Sequence, residues 1–129
     1  MTGLAGKTVA ILEARRSAEL AKLLEHRGAA VYVAPALREV PVAETGEVSR
    51  FVDALCSESV DLVVCLTGAG VRALFAAAVR LGRGDELLAA FGSIPLFCRG
   101  PKPVSALHAL GLPVAYTTPS PYTTEQILD

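Results

Sequence analysis

The sequence of 129 residues predicts an α/β fold built as a three-layer arrangement around a largely parallel sheet. Three observations carry this. Short apolar runs rich in β-formers recur at Thr8–Leu12, Ala30–Ala34, Asp61–Leu66, Ile94–Cys98 and Pro113–Tyr116, as expected for strands buried on both faces. Helical stretches lie between them, and this alternation is the mark of parallel strands joined by crossovers. Hydrophobic residues make up 52% and charged residues 19%, which excludes a disordered chain and demands a core. At roughly 100–200 residues per domain, the length fits one domain or a piece of a larger protein.

The elements follow in order. After the strand at Thr8–Leu12, Ser17 is placed to cap a helix whose Leu20, Leu23, Leu24 and Arg27 share one face, and Gly28 ends it in the left-handed conformation other residues resist. The strand Ala30–Ala34 completes a βαβ unit and is closed by Pro35. Residues 35–47, with Pro35, Pro41 and Gly46 and no helical period, read as an extended linker. A helix over about residues 48–57 leads to the strand Asp61–Leu66, the clearest central strand. Thr67-Gly68-Ala69-Gly70 then turns into a helix with Val71, Leu74, Phe75 and Ala78 on one face. A short helix over residues 85–91 precedes the strand Ile94–Cys98, whose Pro95 argues for an edge position or for the first strand residues. A helix near residues 104–110 stops at Gly111, ahead of the last strand. A final helical signal follows Pro121, with Thr123 or Thr124 as N-cap.

Composition excludes several function classes. Twelve Lys+Arg against thirteen Asp+Glu leave a net charge of −1, so there is no electrostatic footprint for nucleic acid or an anionic membrane. Trp is absent and aromatics are 5%, which argues against a base-stacking platform. The longest apolar run, Ala73–Val79, is far below the ~18–20 residues of a membrane span, and the start lacks the charged and apolar regions of a signal peptide. Cys56, Cys65 and Cys98 read as buried free thiols in a reducing compartment. With no C-x-x-C pair and only His26 and His108, no metal site is expected. A cytoplasmic location follows.

In a parallel sheet, ligands gather where strands end and helices begin, because helix N-termini offer N–H groups and a positive dipole end. The turns Glu13–Ser17, Thr67–Gly70, Arg99–Lys102 and Thr117–Thr124 are small, polar or basic, and suit an anion-accepting rim. Gly68-Ala69-Gly70-Val71-Arg72-Ala73 matches G-x-G-x-x-A, but a dinucleotide fingerprint also wants an acid about 20 positions on, after the next strand. That strand ends at Cys98-Arg99; the glycines read better as a tight strand-to-helix turn. The phosphate-accepting aspartate of a receiver domain is replaced by Leu66-Thr67, and no Ser/His/Asp triad is suggested. Cys98 beside Arg99 offers a thiolate only if the thiol is not simply packed. Basic residues at a helix start oppose the dipole, so Arg15-Arg16 point to an anion, and Arg99 and Lys102 carry the same logic.

Taken in order, these residues resemble the uroporphyrinogen-III synthase family. The strand Thr8–Leu12, Ala14-Arg15-Arg16, a helix with Leu-Leu and Gly, and a strand ending Ala34-Pro35 look like the family's opening "strand, Thr-Arg-Pro, helix, Leu-x-x-x-Gly, strand, Pro". Asp61–Arg72 is similar to its "strand, Phe-Thr-Ser-x-Asn-Ala-Val" block, with Thr67 at the serine position. Cys98–Leu107 with Gly111 resembles its "Val-Gly-x-x-Thr-Ala-x-x-Leu…Gly" block. The Thr-Gly-x-Gly-Val and Cys-Arg-Gly-x-Lys forms look like the divergent branch of actinobacteria and Thermus relatives. The third block's threonine is Pro103 here, so a hydroxyl contact is lost. The family is also longer, and everything after the helix begun near Thr123 lies outside this sequence.

The resemblance implies residues 1–36 as the βαβ part of a first lobe, 37–47 as a crossover linker, and 48–129 as the first part of a second lobe. Counted blindly, the strands would pass for one flavodoxin-like sheet. The implied reaction closes hydroxymethylbilane, a linear tetrapyrrole polycarboxylate, to uroporphyrinogen III with inversion of ring D and loss of water. It needs no cofactor and no metal. The substrate-binding residues implied are Arg15, Thr67, Gly68, Ala69, Arg99, Gly100, Lys102, Thr123 and Thr124; no catalytic residue is assigned. Low activity of this chain alone, no nucleic-acid or membrane partner, and self-association through exposed strand edges complete the expectations. The alternative is a ligand-sensing module of a synthase-like transcriptional regulator.

Overall fold

The structure is a computed structural model that describes residues 3–37 and 46–129. The chain divides into two compact units, Met1–Ala43 and Glu44–Asp129. Most of the expected linker, residues 38–45, lies outside the described residues.

The first unit contains β1 (Thr8–Ile11), α1 (Ser17–Glu25) and β2 (Ala30–Val33). The strands pair in parallel, from Thr8 opposite Ala30 to Ile11 opposite Val33. Gly28 closes α1 at φ 89°, and a Cβ there would stand 3.1 Å from the Ala5 backbone. Conformation and space therefore both demand glycine. The expected cap at Ser17 is corrected. Arg16 holds the N-cap position at φ 53° with no side-chain cap, and its guanidinium instead pairs with Glu19, Nε donating at 2.8 Å. The helix's own glutamate thus neutralises the basic start, which removes Arg16 as an argument for a bound anion. Of the described residues of α1 none is buried, and Leu20 and Leu23 stay exposed. A helix over two strands has too little sheet to cover its apolar face.

The second unit holds α2 (Glu47–Cys56), β3 (Val63–Cys65), α3 (Gly68–Arg80), α4 (Gly84–Ser93), β4 (Leu96–Cys98), α5 (Pro101–His108), β5 (Tyr116–Thr117) and α6 (Glu125–Leu128). Its sheet is parallel in the order β3-β4-β5 and separate from the β1-β2 pair. The strand holding Pro95 was expected at an edge or to begin there. β4 is central, and Pro95 lies just before it. The Pro95 carbonyl accepts from the Val63 N–H (3.1 Å), so the proline contributes its acceptor where no ladder N–H is needed.

One apolar cluster joins Val52 and Leu55 of α2, Val71, Phe75 and Ala78 of α3, Leu87 and Phe91 of α4, and Ala106 and Leu107 of α5 to Cys65, Leu96 and Cys98 of the sheet. Phe75 and Phe91 meet edge to face, centroids 5.2 Å apart, an arrangement favoured by the ring quadrupoles. Arg83 ties α4 to α2 through Asp53 (2.7 Å) and the Ser49 carbonyl (3.1 Å), and pairs with Glu86 (2.8 Å) in the first turn of its own helix. Side chains alternate across a strand, so the other face of the sheet carries the row Val64, Phe97 and Tyr116. Val64 and Tyr116 are exposed there. The short α6 reaches this face, its Gln126 carbonyl accepting from the Tyr116 hydroxyl (3.4 Å).

Candidate functional site at the carboxyl edge of the sheet

At the end of β3, Thr67 caps α3: its backbone is extended (φ −140°, ψ 144°) and its Oγ1 accepts from the Gly70 N–H at 3.0 Å. A Cβ on Gly70 would stand 3.0 Å from that oxygen, so glycine leaves room for the cap. Gly68 is buried, and a Cβ on it would lie 2.5 Å from the Lys102 carbonyl oxygen. Glycine here lets the first turns of α3 and α5 touch backbone to backbone. The Gly-x-Gly spacing is thereby explained by a cap and a helix–helix approach. Thr67→Val should destabilise this unit by about 1 kcal/mol in urea melts, with Thr67→Ser close to the parent.

The end of β4 continues the pairing, Arg99 N–H donating to the Cys65 carbonyl (3.0 Å). The Arg99 guanidinium donates to Thr124 Oγ1 (2.9 Å). Gly100 is at φ 84°, and a Cβ would press on the Tyr122 ring at 3.0 Å. Pro101 opens α5 and Lys102 is exposed in its first turn. Thr124 occupies the N-cap position of α6 but makes no side-chain cap. Thr123 is held instead by its backbone, its N–H donating to Gln126 Oε1 (2.9 Å). The Glu125 carboxyl sits below its ordinary range, held by its own backbone N–H and by Thr123.

Thr67, Gly68, Ala69, Arg99, Gly100, Lys102, Thr123 and Thr124 therefore all lie beyond the carboxyl ends of β3, β4 and β5, in one unit. Arg15 belongs to the first unit, after β1, where its N–H donates to Glu13 Oε1 (2.9 Å). Two neighbours of the rim were not singled out from sequence. Tyr122 covers Gly100 from a left-handed backbone (φ 62°). Thr118 is buried, with its Oγ1 lacking a partner among the described residues. Neither has a signal beyond lying in the polar turn 117–124.

The cysteines differ from expectation at one position. Cys56, last in α2, is exposed, its thiol 3.8 Å from Glu86 Oε2; only Cys65 and Cys98 are buried. Burial pushes the Cys98 thiol up to about 11, with Cys65 adding to the rise, so it is a packed thiol despite adjacent Arg99. Burial likewise raises Cys65. Beside β3 lies a cavity of about 320 Å³, lined mainly by Phe51, Val63, Cys65, Leu74 and Phe91, with Thr67 and Gly70 also on its wall. Among the described residues no group of three metal-ligating side chains comes together, and no helix is long and apolar enough to cross a membrane.

Comparison with known proteins places this geometry. Residues 18–129 match the family model of uroporphyrinogen-III synthase HemD. A mutant uroporphyrinogen III synthase from the extremely thermophilic bacterium Thermus thermophilus superposes with a TM-score of 0.71 at 31% identity, over 95% of this chain and 46% of that one. The wild-type Thermus enzyme gives 0.58 at 30% identity with the same coverage. The uncharacterized protein YjjA of Bacillus subtilis is 34% identical over 110 residues, which are 85% of this chain and 40% of that protein. The chain thus spans less than half the length of the relatives it matches. With a family model covering the turns at β3, β4 and β5, and a solved synthase sharing the fold at this identity, the chain belongs to the uroporphyrinogen-III synthase family.

Proposed function

We propose that the chain supplies part of the substrate rim of a uroporphyrinogen-III synthase, a cyclising hydro-lyase of tetrapyrrole and haem biosynthesis. The observation that carries this reading is the juxtaposition of two helix N-termini, α3 and α5, brought together by Gly68 against the Lys102 carbonyl. The amides of Gly68 and Ala69 precede the first intrahelical acceptor, and the two dipole ends favour carboxylates. Lys102 adds a cation, and Arg99 and Thr124 hold one another at the same edge. Thr123 lies beside Thr124. Arg15, in the other unit, is by itself a further candidate contact for a substrate carboxylate.

Such a rim suits a reaction in which positioning is the task. After the hydroxyl leaves hydroxymethylbilane, the azafulvene cyclises by itself to the type I isomer. Inversion of ring D requires the acetate and propionate groups to be held so that the spiro route wins. Many modest contacts do this, and no acid–base pair need stand out. Because the relatives are longer, the chain alone is expected to hold the substrate weakly and to direct little ring inversion.

The test supplies hydroxymethylbilane and reads the ratio of type III to type I uroporphyrinogen by chromatography. The chain alone should leave mainly type I, and a longer protein containing it together with the rest of the family's length should give type III. Substantial type III from the chain alone would refute its need for the remainder. Only type I from the longer protein would overturn the enzyme reading in favour of a ligand sensor.

A further inference from the structure

Cys65 and Cys98 are opposite one another in the parallel β3–β4 ladder, so their side chains leave the sheet on the same face. Both are buried, and each thiol shifts the proton affinity of the other. Their surroundings are apolar, with Val71, Phe75 and Leu96 in the same cluster. Cys65 also forms part of the wall of the 320 Å³ cavity, together with Phe51, Leu74 and Phe91. The cavity gives a thiophile access to Cys65, the register partner of Cys98, and room for an apolar substituent.

We propose that Cys65 and Cys98 form a chelating dithiol site for trivalent arsenicals that carry an apolar group. The apolar surroundings select this chemical class. A monovalent soft cation held by two thiolates would leave a net charge in the core, and a buried unpaired charge is costly; a divalent one is neutralised by the two thiolates but has no third bond to carry an apolar group. An arsenical gives a neutral adduct. One arsenic(III) oxide group, R–As=O, condenses with the two S–H groups to R–As(S–Cys)2 and one water. Two As–S bonds form, the two thiol protons leave on the arsenical's oxygen, and nothing is oxidised or reduced. Since the thiols can react without prior ionisation, the burial that suppresses thiolates does not close this route. The substituent enters the cavity beside Phe51 and Leu74.

The test uses the reduced chain and phenylarsine oxide in the presence of excess glutathione, which strips arsenic from single thiols. One arsenical per chain should persist by intact mass and be removed by a dithiol competitor. Chelation by two held thiols should retain it at least about 100-fold better than in Cys65→Ala or Cys98→Ala, while Cys56→Ala keeps it. Because either core substitution can disturb folding, a second measurement uses the unchanged chain. After treatment, unfolding and maleimide labelling, peptide mapping should find maleimide on Cys56 alone. Maleimide on Cys65 or Cys98, retention of the adduct in Cys65→Ala, or its loss in Cys56→Ala would overturn the assignment.

Discussion

Phe91→Ala is expected to destabilise the unit Glu44–Asp129 by about 3–5 kcal/mol, the usual cost of removing a buried aromatic ring. Phe91 is 1% exposed, and its loss leaves Phe75 without its edge-to-face partner. The ring also lines the cavity beside β3, so truncation enlarges an existing void and does not let the core collapse around it. Urea unfolding followed by far-ultraviolet circular dichroism measures the change. A loss below about 1 kcal/mol would mean that α4 does not hold the core as described, since that is the scale of a surface substitution.

Gly68→Ala is expected to be strongly damaging although it adds a single methyl at the rim. The added carbon would meet the Lys102 carbonyl oxygen at 2.5 Å, and both partners are main chain at helix starts, so no flexible side chain can yield. Overpacking of this kind costs about 1–3 kcal/mol, and relief requires α3 and α5 to separate. Stability should fall, and the amide resonances of residues 68–70, 100 and 102 should move together. Gly92→Ala is the control, because a Cβ there meets nothing within 4 Å. Equal behaviour of the two variants would refute the close approach of the helix starts.

The fold was legible wherever local chemistry decides the outcome. Gly28 had to adopt a left-handed conformation, and the turn Thr67–Gly70 had to begin a helix. Thr67 then serves as the cap that this residue type favours. What sequence could not give came from tertiary partners. Arg16 displaced Ser17 from the cap because Glu19, one turn on, takes its charge. Pro95 did not push its strand to an edge, since only its carbonyl takes part in pairing. The apolar face of α1 stays open because its sheet has two strands.

The site divides in the same way. Arg99, Gly100 and Lys102 were readable as a basic strand-to-helix turn. That Gly68 touches Lys102, that Arg99 engages Thr124 and that Tyr122 covers Gly100 depends on long-range packing, which no spacing in the sequence encodes. Cys56 could not be told from Cys65 and Cys98 by its apolar neighbours. Its place as the last residue of α2 is what leaves it in solvent.

The central claim is that the paired starts of α3 and α5 receive the carboxylates of a tetrapyrrole. It is tested most directly by following amide nitrogen–proton correlations of the chain while anaerobic uroporphyrinogen III is titrated in. The first amides to shift should be those of residues 67–70, 99, 100 and 102, with Lys102→Ala weakening the response, while the amides of the β1–β2 pair other than near Arg15 stay unmoved. Shifts concentrated away from these two turns, or a response untouched by Lys102→Ala and Gly68→Ala alike, would contradict the claim.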